Sequence, residues 1–256
     1  MIKIKMEIVI IGTGNTATVL GRMLKAAGHN ITQVYGRNAK DASDLAYELD
    51  TESTNYWSVV NKNADIYILA VSDIAIAEVL EELRLPPKTI VHTAAAVSKN
   101  ILQKTSEHFG VFYPLQTLKK NTNQLPDIPI IIDASDKETL NTLTHLAESI
   151  SATVLQAGDD ERLKLHLAAV FCNNFVNHLY VLAEKFCRQE GLDFKLLVPL
   201  IKETALRVEN TMPSEAQTGP ASRYDMQTIS KHLELLQQYP QLKNFYELFT
   251  QSIQEN

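Results

Sequence analysis

From Met1 to about Gly158, the apolar positions fall into short, nearly unbroken runs. Glu7–Ile11, Ile31–Tyr35, Ile66–Val71, Thr89–His92, Val111–Tyr113, Ile128–Asp133 and Thr153–Gln156 are rich in Ile and Val. Strands of a parallel sheet carry this pattern, because helices cover both of its faces. Between the runs lie stretches with helical spacing: Asn15–Ala27, Ala39–Leu49, Ile74–Leu83, Ser98–Glu107 and Lys137–Ile150. The alternation predicts an α/β fold with a doubly wound parallel sheet of Rossmann type.

After Gly158 the strand pattern stops. Asp159–Gln189 has the acidic start of one long helix, closed by Gly191. Phe194–Asn210 follows, then a Pro/Gly loop (Met212–Arg223), then helices over Asp225–Gln238 and Gln241–Gln254. The chain thus divides into an expected nucleotide-binding domain over 1–157 and an all-helical substrate and dimerisation domain over 158–256. Between Leu163 and Ala183 the long helix is apolar around most of its circumference, so burial on most sides is expected. A helical domain of roughly 100 residues has a limited core of its own. Packing that helix against a second copy predicts a homodimer.

Composition narrows the class further. With 45% hydrophobic and 21% charged residues, the chain can bury a real core. The 24 Lys+Arg against 30 Asp+Glu leave a net charge of -6, which argues against a nucleic-acid partner. No apolar run approaches the ~20 residues that span a bilayer, so no membrane partner is expected. The first apolar run meets a glycine motif where a secretory signal has its cleavage site, and a cytoplasmic protein is expected. Cys172 and Cys187 would sit roughly 22 Å apart on one helix, too far for a disulfide. Both are expected as buried small hydrophobes, and their spacing gives no metal cluster.

The glycine motif is Gly12-Thr13-Gly14-Asn15-Thr16-Ala17, a G-x-G-x-x-A pattern between a strand and a helix. Gly12 permits the tight turn, Gly14 admits a pyrophosphate to the backbone, and Ala17 lets helix and strand approach. The helix N-terminus then offers free amides and a positive dipole to the diphosphate. At the end of the second strand the sequence reads Tyr35-Gly36-Arg37-Asn38, with no acid to accept from a ribose 2′-hydroxyl. Arg37 can pair with a 2′-phosphate and Asn38 can add a hydrogen bond, which favours NADP(H); otherwise Arg37 is a solvated surface residue.

Ligands of open α/β sheets lie beyond the carboxyl ends of the strands. Val71 and Ser72 are therefore expected along the cofactor and Thr93 near its nicotinamide. Asp73 is expected chiefly as a helix N-cap. His92 is either a substrate contact or a satisfied histidine at a strand end.

At 100° per residue, His166, Asn173, Asn177 and Glu184 fall on one line of the long helix, joined by Asp159, with Arg162 about 40° aside. Either this line borders a cleft between the domains, or it is a solvated face or interface network. In a cleft, His166 is the one group on it suited by type to acid–base work near neutrality, and Asn173 can orient a carbonyl or hydroxyl. Asn177 lies on the same face as a substrate contact. Near the end, Thr218–Asp225 forms a loop in which Arg223 and Asp225 can clamp an acidic substrate or a partner, and Asp225 can equally cap the next helix.

These segments together resemble the bacterial Rossmann-like NADP oxidoreductases whose C-terminal helical domain has no assigned function. The resemblance rests on IGTGNTA, AVSD, VHTAA, YPLQT, HLAAVFCNNFVNHLY and GPASRYD and runs through nearly the whole chain. More distantly the chain is similar to pyrroline-5-carboxylate reductase, ketopantoate reductase, deazaflavin-dependent NADP reductase and the 6-phosphogluconate/β-hydroxyacid dehydrogenases. These relatives imply a dimer with its active site between the two domains. The β-hydroxyacid dehydrogenases carry a lysine four residues before an asparagine on the long helix; here Ala169 and Val170 precede Asn173 and Asn174. Lys164 is about 160° around the helix from His166 and does not replace that lysine. Many members of the nearer family carry His where this chain has Tyr113.

The resemblance implies an NADP(H)-dependent oxidoreductase moving hydride to or from a small carbonyl, imine or hydroxyl substrate, with His166 as proton donor. The alternative is a non-catalytic NADP-binding sensor or assembly protein that has lost the lysine.

Overall fold

The computed structural model describes residues 5–121 and 127–255. The chain forms two compact units, residues 1–173 and 174–256.

The first unit is built on one eight-stranded sheet in the order β3-β2-β1-β4-β5-β6-β7-β8. Its strands are β1 (Glu7–Ile11), β2 (Asn30–Tyr35), β3 (Glu52–Thr54), β4 (Ile66–Leu69), β5 (Thr89–His92), β6 (Phe109–Pro114), β7 (Ile130–Ala134) and β8 (Val154–Gln156). Neighbours pair in parallel except β6 and β7, which run antiparallel. The expected doubly wound sheet is therefore parallel in all but one pairing. The exception follows from the connection, since no helical crossover lies between β6 and β7 among the described residues.

Helices α1 (Asn15–Ala26), α2 (Ala39–Leu49) and α4 (Lys137–Glu148) cover one face. There Leu20, Leu24, Leu45, Leu49, Leu143 and Leu146 pack on Ile8, Ile10 and Ile66. Helix α3 (Ala75–Glu82) covers the other face, burying Ile76 and Val79 against Val9, Ile11 and Tyr67. Both faces of the central strands are thus apolar, which is why their sequence shows runs of Ile and Val and no alternation.

The helix expected over Ser98–Glu107 is only a 3₁₀ turn, Lys99–Leu102. Tertiary contacts hold the segment and the residue before it in other positions. Arg162 binds the Val97 carbonyl at 2.6 Å, the Lys99 amide donates to Asp159, and Ser106 Oγ donates to the Lys88 carbonyl at 2.7 Å.

Helix α5 (Asp159–Ala169) also belongs to this unit. Leu165 packs against a cluster holding Val111, Tyr113 and Ile131. Arg162 is fully buried, with Nε on the Ala95 carbonyl at 3.0 Å and Nη2 on Asp159 at 2.8 Å. These contacts carry the division to Asn173/Asn174, beyond the 157/158 boundary expected from the change of pattern.

The predicted single helix Asp159–Gln189 is interrupted by a π-helical turn, Val170–Phe175, before α6 (Val176–Gln189). The extra residue in such a turn displaces the phase by on the order of 100°.

The second unit comprises α6, α7 (Val198–Arg207), α8 (Met226–Leu235) and α9 (Pro240–Gln254). It buries few large side chains, among them Leu182 and Ile229. Leu196, Leu200, Leu206, Met212 and Leu235 stand exposed. On the long helical run Leu163, Leu167, Phe171, Phe175 and Leu179 are exposed too, so one copy of the chain does not provide the burial expected there. Cys172 is likewise exposed, contrary to expectation, on the same run that one copy leaves uncovered; Cys187 is buried, and both are free thiols. Among the described residues, no group of His, Cys, Asp and Glu can hold a metal ion, and no helix is long and apolar enough to cross a membrane.

Candidate active site

The dinucleotide loop leaves the carboxyl end of β1 beside β2 and β4. Gly12 has φ +127°, a left-handed backbone that its lack of Cβ makes accessible. A Cβ there would lie 2.3 Å from the Ala70 carbonyl oxygen, so the loop also needs glycine for space. Gly14 meets no atom within 4 Å of a built Cβ. Its openness is the cradle itself, since the backbone is bare where a diphosphate would approach. Gly14 and Asn15 are exposed and Gly14 makes no side-chain cap, leaving the α1 amides for an anion. Ala17 is fully buried at the helix–strand contact.

A cavity of about 410 Å³ opens from this loop. It is lined by Gly12, Thr13 and Gly14, by Arg37 and Asn38 after β2, and by Val71 and Ser72 after β4. Seven sequence-predicted cofactor contacts thus share one hollow. Its wall includes Tyr35 stacked on Trp57, with ring centroids 3.6 Å apart. Asn38 Oδ1 accepts from the Lys40 amide at 2.9 Å and the Asp41 amide at 3.3 Å, capping α2. This use of the oxygen leaves Nδ2 as the group able to meet a phosphate. Arg37 is exposed at the cavity mouth. Asn15, Thr16 and Thr93 lie outside the cavity lining. Asn15 turns its side chain to the β6–β7 connection, accepting from the Lys120 amide at 3.0 Å.

Beyond β5 and β6 the polar groups are tightly held. His92 is fully buried and its Nδ1 accepts from the Ala94 amide at 3.2 Å. Burial, and then the charge of Arg162, push its pKa down to about 4, so the ring is neutral at physiological pH. Its Nε2 is buried without a hydrogen-bond partner among the described residues, so the ring is enclosed but only half satisfied. Asp73 does not cap α3, because the helix starts at Ala75 and the Asp73 carbonyl takes the Ile76 amide.

Tyr113 and His166 meet directly, Oη to Nδ1 at 3.0 Å. Burial raises the phenol pKa above its usual value and opposes ionisation, while Arg162 pulls the other way. Tyr113 stands out in the sequence as a strand-end residue where the family often has His, but its pairing with His166 is not foreseen there. Asn173, on the π turn, donates from Nδ2 to Thr117 Oγ1. Lys164 is on the exposed side of α5, paired with Asp160 at 2.6 Å.

Three expected substrate contacts belong to the second unit. Asn177 is exposed on α6 and Arg223 is exposed in its loop. Asp225 caps α8, taking the Thr228 amide at 3.0 Å and the Thr228 hydroxyl at 2.8 Å, which holds its carboxyl below the usual range. Each oxygen accepts one bond of this cap.

The glycine turn, open cradle and basic residue beyond β2 are the parts of a dinucleotide-binding oxidoreductase. Residues 7–96 match the family described as NADP oxidoreductase, coenzyme F420-dependent, and residues 128–253 match the domain of unknown function DUF2520. A crystal structure titled "putative NADP oxidoreductase" from Bacteroides fragilis is 39% identical, with a TM-score of 0.91 over 98% of this chain and 99% of that one. A Thermotoga maritima protein is 22% identical, with a TM-score of 0.82 over 97% and 98% of the two chains. The fold extends to a 1-pyrroline-5-carboxylate reductase from Streptococcus pyogenes, 15% identical, TM-score 0.68, over 98% and 99%. No curated protein matches the sequence. The chain belongs to the family of Rossmann-type NADP oxidoreductases that carry a DUF2520 helical domain.

Proposed function

We propose that the protein uses NADP(H) to reduce or oxidise a small polar substrate at a carbonyl, imine or hydroxyl carbon. The observation that carries this reading is the single cavity joining the open Gly14 cradle to Arg37 and Asn38. The residues fit the cofactor: exposed α1 amides for the diphosphate, and a guanidinium with an amide donor for a 2′-phosphate. When bound, the nicotinamide supplies the hydride chemistry.

The chain supplies binding and the proton. His166 holds the proton at Nε2 when Tyr113 donates to Nδ1, so the hydrogen bond fixes the tautomer and the ring's orientation. Asn173 orients the polar group of the substrate. On the helical unit, Asn177 and Arg223 are exposed polar side chains able to contact a polar substrate. Two copies pair through the helical units, covering the apolar side chains that one copy leaves exposed. The two free thiols accord with a cytoplasmic setting.

Titration with NADPH and NADH, followed by nicotinamide fluorescence, tests the cofactor reading. Tighter binding of NADPH is expected. Failure of both nucleotides to bind would overturn it. NADPH binding without turnover of any carbonyl or imine in a broad panel would leave a non-catalytic sensor.

A further inference from the structure

The dinucleotide loop and the π turn are tied to the same short segment. At one end the Lys120 amide donates to Asn15 Oδ1 at 3.0 Å, and Arg22 Nη1 donates to the Lys120 carbonyl at 2.7 Å. At the other end Thr117 Oγ1 accepts from Asn173 Nδ2. Arg22 is itself paired with Glu48 on α2, so the Lys120 end is anchored to the helices that flank the cofactor loop. All of these residues lie within the first compact unit.

We propose that the segment Thr117–Lys120 couples dinucleotide binding to the placement of Asn173, with Thr117 as the positioning residue. The proposal rests on the cofactor reading and on the role given to Asn173 above. Its physical basis is an element with two discrete states. A π turn holds one residue more than an α turn, and passing between the two rotates a side chain by on the order of 100°. The Thr117 bond holds Asn173 in the π register; in the α register that side chain leaves Thr117. A diphosphate seated on the amides after Gly14 steadies Asn15, and through it Lys120 and Thr117, which selects the register that presents Asn173. The linkage is reciprocal, so a ligand held by Asn173 tightens the dinucleotide by the same factor. The cofactor therefore prepares the substrate site.

Amide hydrogen exchange of the full chain, with NADPH as the probe, tests this coupling. NADPH is expected to slow exchange in residues 116–121 and also in residues 170–175, the latter by on the order of 5–100-fold, the usual range of site-to-site coupling. In Thr117→Val, NADPH still binds, weakened by no more than that same coupling factor, but the protection of 170–175 disappears. Thr117→Ser, which keeps the hydroxyl, restores it. Exchange in the β1 and β4 strands reports whether each variant is folded. Protection confined to 116–121 in the wild type, or retained at 170–175 in Thr117→Val, overturns the coupling. Absence of NADPH binding, read separately by fluorescence, overturns the cofactor reading and the coupling with it.

Discussion

Tyr113 and His166 are 53 positions apart in sequence, yet share a 3.0 Å hydrogen bond at the carboxyl edge of the sheet. Replacing His166 with Gln is expected to lower turnover by roughly 10²–10⁴-fold, the range of general acid–base catalysis. Tyr113→Phe removes the partner and leaves the ring, so a smaller loss, about tenfold, is expected, with NADPH affinity unchanged. Steady-state NADPH oxidation measured beside fluorescence binding separates the two effects.

The two loop glycines should fail differently when replaced by alanine. Gly12→Ala meets both a left-handed backbone and the Ala70 carbonyl, and is expected to lose at least about 2 kcal/mol of stability in urea denaturation. Gly14→Ala meets no protein atom within 4 Å. It should fold with near wild-type stability, within about 0.5 kcal/mol, and still lose nucleotide binding because the new methyl fills the cradle.

Arg37 is exposed, so Arg37→Ala should leave stability unchanged while weakening NADPH by roughly 10–100-fold, the worth of a charged hydrogen bond. NADH binding should barely change. An equal loss for both nucleotides would show that Arg37 does not read the 2′-phosphate.

His92 makes stability depend on pH. Its folded pKa, pushed down to about 4, lies below the ordinary 6.5, so between these values the unfolded chain holds a proton that the folded protein excludes. Stability therefore falls as pH drops through that window, by roughly 3 kcal/mol in all. Asp136 and Asp159, both held below the usual carboxylate range, add their own loss only at still lower pH. Urea titrations at pH 7.5 and 5.0 should show the difference shrinking in His92→Gln.

The helical unit leaves Leu196 77% and Leu200 62% exposed. Analytical ultracentrifugation is expected to find a dimer, and Leu196→Glu with Leu200→Glu should shift it toward monomer. A wild-type monomer at micromolar concentration would refute the pairing.

Much of the sheet was legible because buried parallel strands are nearly pure Ile and Val, and the glycine loop because its pattern has one mechanical meaning. What escaped is the structure that tertiary contacts impose. Strand β3 (Glu-Ser-Thr) has no apolar run and exists by pairing with β2. Ser98–Glu107 has helical spacing, but Arg162 holds the carbonyl just before it, Asp159 the Lys99 amide and the Lys88 carbonyl the Ser106 side chain. The π turn escaped because a fixed 100° step has no place for its extra residue. Tyr113 was visible at a strand end, but its pairing with His166 depends on where α5 docks.

The strand order has a consequence for how the first unit forms on the ribosome. β2 and β3 add successively to one side of β1, and β4 through β8 add successively to the other. No later strand has to be inserted between two that are already paired. Each emerging strand finds an open border waiting, so the sheet can grow in the direction of synthesis without undoing a pairing already made.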